Sequence, residues 1–187
     1  MFRFAFLAFA LSLSACAHVV TEDYDQYLVN NKGTALPAAK VKAVYSIDPS
    51  TKSHEYKFSS AMAGMANSWV VKFGDLLRVT LKSEDVQKAF GGIEEVNGAV
   101  PAKTRLIEFL LVDYQFRDKM AIVKMNITVK YGDKSILQKT YEAKGNSQGG
   151  KMFWGGAMGM KNAVHQSTKF AADKILTDFI NDYNAVK

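Results

Sequence analysis

Cysteine and histidine are scarce in this sequence, and their scarcity excludes several kinds of site. Cys16 is the single cysteine among 187 residues, so no disulfide can form within the chain. The three histidines, His18, His54 and His165, are far apart in sequence and do not have the spacing of a metal site. The G-x-S-x-G motif of serine hydrolases and the G-x-x-x-x-G-K-[ST] motif of phosphate loops are both missing. We therefore expect no metal, no cofactor bound in a pocket and no nucleophilic catalysis.

Long runs of like charge are also missing. The formal net charge is +6 at pH 7, but lysine and arginine are scattered along the chain without a run of five. This distribution argues against nucleic acid as a partner. Hydrophobic residues make up 48% and charged residues 22%, which is close to average globular composition. A chain of this length is expected to form one domain.

The N-terminus has the layout of a secretory signal peptide. Arg3 precedes an apolar run from Phe4 to Leu11, and the small residues Ser12, Ser14 and Ala15 follow. A stable membrane span needs about 20 apolar residues, so this run is too short to be an anchor. We predict that residues 1–15 are removed during export.

The four residues Leu13-Ser14-Ala15-Cys16 resemble the lipobox of bacterial lipoproteins at every position. The resemblance implies cleavage between Ala15 and Cys16, a diacylglycerol on the Cys16 thiol and a further acyl chain on its amino group. Two or three acyl chains hold a domain on a membrane, whereas a single chain binds only marginally. Ala17 stands where an aspartate would favour the inner membrane, so the resemblance implies a lipid-anchored protein of the outer membrane that faces the periplasm.

Periodicity divides the remaining chain into a tether and one α+β domain. Residues 16–39 show little periodicity and are expected to form the lipidated cysteine and its tether, and residues 40–187 form the domain. The domain is predicted as an antiparallel sheet of three to four strands with two amphipathic helices on one face, in the order β-α-β-β-β-α. The expected elements are strand 40–47, helix 60–81, short helix 83–90, strands 104–116, 119–131 and 135–143, and helix 157–183.

The stretch Gly149 to Met160 is the most unusual part of the predicted domain, because glycines flank large apolar side chains. We interpret it as a flexible loop that offers Met152, Phe153 and Trp154 to a partner protein or to lipid, since aromatic residues dominate interface hot spots. The alternative is that these side chains fold back on the core while the glycines allow the chain to reverse.

Paired carboxylates occur at Glu84-Asp85 and Glu94-Glu95, and His165 lies near the start of the last predicted helix. We expect these residues to face solvent without forming an active site. A cell-wall enzyme that uses them is a weaker hypothesis, which would require them to share a cleft.

The lipobox, together with a helix before a three-stranded meander and a second helix after it, is similar to small accessory lipoproteins of envelope assembly or lipid-transport systems. The resemblance implies a non-enzymatic accessory component of a cell-envelope complex, with an envelope protein as partner. The alternative is a carrier of a lipid or small ligand, with a pocket between helices and sheet. Its expected lining is Met62, Met65, Trp69, Met125 and Phe179.

Overall fold

The computed structural model describes residues 16–60, 67–101, 103–147 and 149–186, and shows a mixed α+β fold. Within these residues two sheets and five helices pack around one hydrophobic core. The elements in chain order are β1 (Cys16–Val19), α1 (Tyr24–Asn30), β2 (Ala43–Ile47), α2 (Pro49–Lys52), β3 (Glu55–Ser59), β4 (Asn67–Lys72), α3 (Phe73–Leu81), α4 (Glu84–Phe90), β5 (Glu94–Glu95), β6 (Arg105–Arg117), β7 (Met120–Tyr131), β8 (Lys134–Lys144) and α5 (Gly149–Ala185).

The larger sheet has the strand order β5-β2-β6-β7-β8, and its last three strands form the predicted antiparallel meander. Alternate residues of β7 from Ala121 to Val129 are buried, while the residues between them are half-exposed. One face of this sheet is therefore buried and the other is exposed to solvent, as the period-two pattern predicts. The expectation of a purely antiparallel sheet of three to four strands was wrong, because β2 and β5 add two parallel pairings.

A smaller sheet of three strands, in the order β1-β4-β3, adjoins the larger one at β6. Strand β2 borders residues 105–109 of β6, and beyond a bulge at Val112 side chains of β3 pack on β6. Tyr56 of β3 packs on Tyr114 at 5.5 Å between ring centroids. Phe58 packs on Phe116 at 5.1 Å. These contacts place both sheets on one core.

The described part of the predicted helix 60–81 contains a strand before its helix. Residues 67–72 form β4, in which Trp69 and Val71 are buried, and residues 73–81 are helical. The β-branched pair Val70-Val71 favours a strand, and β1 and β3 supply hydrogen-bonding partners on both sides. Met62 and Met65 lie outside the described residues.

The predicted tether is part of the fold. Residues 16–19 pair with β4 in parallel, and α1 buries Tyr24 and Leu28 against the core. Val20 is also fully buried. These residues pack against the core because Val20, Tyr24 and Leu28 follow one another at intervals of four residues. One side of this short segment is therefore hydrophobic. Ala15 and the rest of residues 1–15 lie outside the described part of the chain.

Helix α5 covers the buried face of the larger sheet. Its apolar residues Val164, Ala171, Ile175 and Phe179 are buried there, in agreement with the predicted helix 157–183. The helix begins earlier than predicted, at Gly149, and is interrupted at Gly156, whose φ of 52° and ψ of −136° are not helical. The predicted loop around Met152, Phe153 and Trp154 therefore has a helical backbone, and the side chains of these residues lie outside what the structure describes.

His165 is buried within α5 and not on the surface where we expected it. Its ring lies 5.1 Å from that of Tyr24 and 5.3 Å from that of Tyr27, measured between centroids. Nε2 is 2.5 Å from the carbonyl oxygen of Val20, to which it donates in the matching tautomer. Burial lowers the pKa of His165, which favours the neutral imidazole. His165 thus joins α5 to the segment that follows β1.

Gly145 lets α5 approach the end of β8 closely. The Ser167 hydroxyl accepts a hydrogen bond from the Ala121 amide at 2.7 Å, and the Gly145 amide donates to the Ala121 carbonyl at 2.8 Å. A Cβ atom at Gly145 would collide with the carbonyl oxygen and Oγ of Ser167. The contact between helix and sheet therefore requires glycine at this position.

We predict that Gly145→Ala lowers the free energy of unfolding by about 1–3 kcal/mol, because the added methyl group must push α5 away from the sheet. The matched control is Gly98→Ala, since no atom lies within 4 Å of a Cβ built at Gly98. Urea unfolding followed by circular dichroism measures both variants. Equal stability of the two variants would contradict the close packing of α5 on β8.

Candidate functional site

The face of the larger sheet away from α5 forms an open concave surface, which we call the open face. A cavity of about 610 Å³ lies on it, bordered by α2 and by the loop from Val96 to Val100. The Lys52 ammonium holds this loop in place, since it donates to the Asn97 side-chain oxygen at 3.1 Å and lies 2.7 Å from the Glu95 carboxylate. The cavity is lined by Ser46, Ile47, Asp48, Pro49, Lys52, Val96, Asn97, Gly98, Val100, Leu106, Glu108, Phe109, Leu110, Asn126, Thr128 and Gln138.

Two large apolar side chains project from β6 at the open face. Leu110 is 39% exposed and Val112 is 52% exposed. Val112 is the additional residue of the bulge, since Leu111 pairs with Met125 and Asp113 pairs with Lys124. The bulge shifts the alternation so that Tyr114 and Phe116 still face the core. Contiguous exposed apolar patches that are bordered by polar residues are typical of protein contact surfaces.

Polar groups surround Leu110 and Val112 on the neighbouring strands. Lys130 and Glu108 form an ion pair across β6 and β7 at 2.8 Å. The Asn126 amide donates to the Thr140 hydroxyl at 3.2 Å. At the rim, hydrogen bonds from the Ser50 hydroxyl and amide lower the pKa of Asp48, which keeps its carboxylate ionised. This surface combines apolar contact with hydrogen-bonding groups, which suits a polypeptide partner.

Strand β8 is the edge of the larger sheet, and its side chains disfavour pairing with another strand. Lys134, Lys139 and Lys144 are exposed along it, and Lys139 forms an ion pair with Asp182 of α5 at 2.7 Å. Charged residues, lysine above all, protect edge strands against pairing with a further chain. The lysines of β8 therefore disfavour the addition of a further strand at this edge.

A second concavity lies between α1 and the α3–α4 pair, and we call it the helical groove. It holds about 300 Å³, and its apolar walls are Leu28 and Val29 on one side and Val79 on the other. Val29 is 61% exposed. Lys32 and Glu84 form an ion pair at the rim, 3.2 Å apart. The groove could hold a small apolar group.

A buried cation stabilises the region beneath the helical groove. The ammonium of Lys169 lies 2.5 Å from the Asp173 carboxylate, 2.6 Å from the Thr34 hydroxyl and 3.7 Å from the Asp85 carboxylate. Asp85 also accepts hydrogen bonds from the amides of Gly33 and Thr34. The charges of Lys169 and Asp85 are thus satisfied by ion pairs and by backbone amides. These contacts join α5, α4 and residues 33–34.

The paired carboxylates do not form a shared site with His165. Glu95 is largely buried between Lys52 and Arg78. Asp85 bonds as just described, and Glu84 faces solvent beside Lys32. The expectation that all these carboxylates face solvent was therefore wrong for Asp85 and Glu95. His165 lies beside Asp23 and Lys161 in a different described cavity, so the cleft that the enzyme hypothesis requires is not formed by these residues.

The residues expected to line a carrier pocket are core residues where the structure describes them. Trp69, Met125 and Phe179 are each at most 1% exposed. The helical groove and the open-face cavity are lined by other residues. The described residues contain no group of three histidine, cysteine, aspartate or glutamate side chains placed to hold a metal ion. No described helix is long and apolar enough to cross a membrane.

Cys16 is the first residue of β1 and pairs with Asn67 of β4. An aromatic row runs from this strand to β6, with centroid distances of 5.8 Å from His18 to Trp69, 5.5 Å from Trp69 to Phe58 and 5.1 Å from Phe58 to Phe116. Cys16, the predicted lipidation residue, is therefore only two residues from His18, whose ring begins the aromatic row that leads to the core.

Comparisons with known proteins give distant structural likenesses. A search against protein-family models and a search of curated proteins each find no match. Protein XCC0632 of Xanthomonas campestris, assigned to the DUF330 family, aligns at a TM-score of 0.49 and 9% identity over 79% of this chain and 86% of that chain. An uncharacterised protein aligns at 0.46 and 8% identity over 81% and 94%. The hypothetical protein CT253 of Chlamydia trachomatis aligns at 0.39 and 9% identity over 78% and 98%. Likenesses at this level identify neither a family nor a function.

Proposed function

We propose that this protein is a non-enzymatic, lipid-anchored lipoprotein of the outer membrane, which faces the periplasm and serves as an accessory or assembly component of a cell-envelope complex. The observation that carries the docking role is the exposure of Leu110 and Val112 on the open face. Burial of these two side chains against an envelope protein would remove apolar surface from water, at roughly 25 cal/mol per Å². The polar groups around them would set the register of the partner.

The anchor of this proposal is Cys16, and the fold limits how far the domain can move from the membrane. Val20 is fully buried, and it follows Cys16 by four residues. Four extended residues span at most about 14 Å, and residues 16–19 are already fixed in β1. Acyl chains on Cys16 would therefore hold the domain directly at the bilayer surface. The open face would meet partners that lie in or on the same membrane.

We predict that a photo-crosslinking phenylalanine analogue at Val112 forms an adduct with an envelope protein in cells. The analogue at Phe170 is the matched control, because Phe170 is an exposed apolar residue, 54% accessible, on α5. The Cys16→Ser variant should lose most of the Val112 adduct and fractionate as soluble protein, because it lacks the acylated thiol. Immunoblots of membrane and soluble fractions measure both effects.

Absence of an adduct at Val112, or equal adducts at Val112 and Phe170, would contradict docking through the open face. A Cys16→Ser protein that stays in the membrane fraction and keeps its adduct would contradict the lipid anchor. The two failures are separate, because the first leaves fractionation unchanged.

The second candidate function is a carrier of a lipid or small ligand, favoured by the apolar helical groove.

Val29→Asp places a charge in the groove at an exposed position, so we predict that it weakens binding of decanoate about ten-fold or more while leaving the fold intact. Val41→Asp is the control, since Val41 is 41% exposed away from the groove. Isothermal titration calorimetry measures the affinity. Equal affinities for wild type and Val29→Asp, or no binding at all, would exclude the groove as a lipid site.

A further inference from the structure

The strands that carry Cys16 and the β6–β7 hairpin end on the same side of the molecule. Strand β3 runs beside β6 in the same direction, because Tyr56 contacts Tyr114 and Phe58 contacts Phe116. Strand β4 is antiparallel to β3, and β1 is parallel to β4. The start of β1 therefore lies where β6 ends. Neighbouring strands are about 4.8 Å apart, which places Cys16 about 10 Å from the end of β3.

The elements at this end border a cavity. It measures about 360 Å³, and its lining includes Phe58, Ser60, Phe116, Lys119 and Met160. Residues from β3, from the β6–β7 hairpin and from α5 thus meet there. The Ser147 hydroxyl donates to the Lys119 carbonyl at 2.5 Å, which fixes the chain after β8 to the hairpin. We call this region the anchor end.

Basic side chains are left without carboxylate partners at the anchor end. Arg117 and Lys144 are exposed and Lys119 is half-exposed. The ion pairs of the described residues do not include any of these three cations. The hairpin turn contains one carboxylate, that of Asp118. The three cations and this anion give a local charge of 3 − 1 = +2.

The middle of the sheet differs in this respect. Lys124 lies 3.8 Å from Glu142, and Lys130 lies 2.8 Å from Glu108. Lys139 lies 2.7 Å from Asp182. Carboxylates on adjacent elements thus neutralise Lys124, Lys130 and Lys139, whereas no ion pair of the described residues neutralises Arg117, Lys119 or Lys144.

We propose that the anchor end rests on the phospholipid bilayer, with Arg117, Lys119 and Lys144 against the phosphates of anionic headgroups. The inference rests on the proposed lipid anchor, because acyl chains on Cys16 would confine this end to within a few residues of the bilayer surface. Basic residues gain free energy close to an anionic membrane, and the gain decays over a Debye length. The headgroup contacts fix the orientation of the domain, so that the opposite end of β6 points into the periplasm.

The first test uses the acylated protein in vesicles of phosphatidylethanolamine and phosphatidylglycerol that contain a headgroup nitroxide quencher. Acylation blocks the native thiol, so a single introduced cysteine takes a fluorophore. Asn146→Cys reports on the anchor end, and Asp133→Cys reports on the far turn, about 30 Å away along β8. We expect strong quenching of the label at position 146 and little at position 133. Equal quenching of the two labels, or the reverse order, would overturn the proposal.

The second test is independent of acylation. It uses the chain from residue 16 onward with Cys16→Ser, which keeps the whole described core, from Val20 to Tyr183. Each basic residue near an anionic surface contributes roughly a five-fold factor in binding. The double variant Arg117→Glu/Lys119→Glu should therefore lower partitioning onto phosphatidylglycerol vesicles about ten-fold or more. The matched control is Lys42→Glu/Lys134→Glu, which reverses two exposed charges at the other end of the sheet.

Sedimentation with vesicles gives the partition coefficients. Equal losses in the two double variants, or no binding by the parent chain, would refute the basic anchor end. Mass spectrometry that finds Cys16 without acyl chains would instead refute the lipid anchor, and the second test would still decide whether the anchor end binds headgroups.

Discussion

Helix α5 covers one face of the larger sheet, and this packing determines which surfaces of the domain are buried and which are exposed. Alternate residues of β7 supply a continuous apolar surface, and α5 buries it with Val164, Ile175 and Phe179. The helix fits closely because Gly145 has no side chain at the point where Ser167 meets β7 and β8. Since α5 occupies one side, the opposite side stays open, and the exposed residues of β6 lie there. The proposed docking surface is thus a direct consequence of the core.

The elements that sequence periodicity predicted well are those whose pattern reflects a local rule. The strand 119–131 alternates between core and solvent, and the last helix has a single apolar side, so both could be recognised without knowing their neighbours. Strand β4 could not be recognised from its own residues alone, because its pairing depends on β1 and β3, which are other segments of the chain. Trp69 and Phe73 also have a spacing of four residues, which fits a helix equally well.

Sequence patterns revealed only part of the candidate site. The lipobox was visible as a motif, whereas the exposure of Leu110 and Val112 depends on the bulge, which is set by the pairing of β6 with β7. The consecutive apolar residues from Phe109 to Val112 break the alternation, and this irregularity was the available signal. The first part of the predicted tether carries its own apolar side, from Val20 to Leu28, so the proposed anchor is joined to a fixed strand. If Cys16 is acylated as proposed, this short connection would limit the orientations of the domain on a membrane.

Mass spectrometry of the N-terminal peptide from membrane-extracted protein tests whether Cys16 is the lipid-bearing N-terminus of a domain that begins at β1. We expect a mature chain that begins at Cys16, with a diacylglycerol on the thiol and an acyl chain on the amino group. A mature chain that begins at another residue, or one that begins at Cys16 with a free thiol, would contradict it.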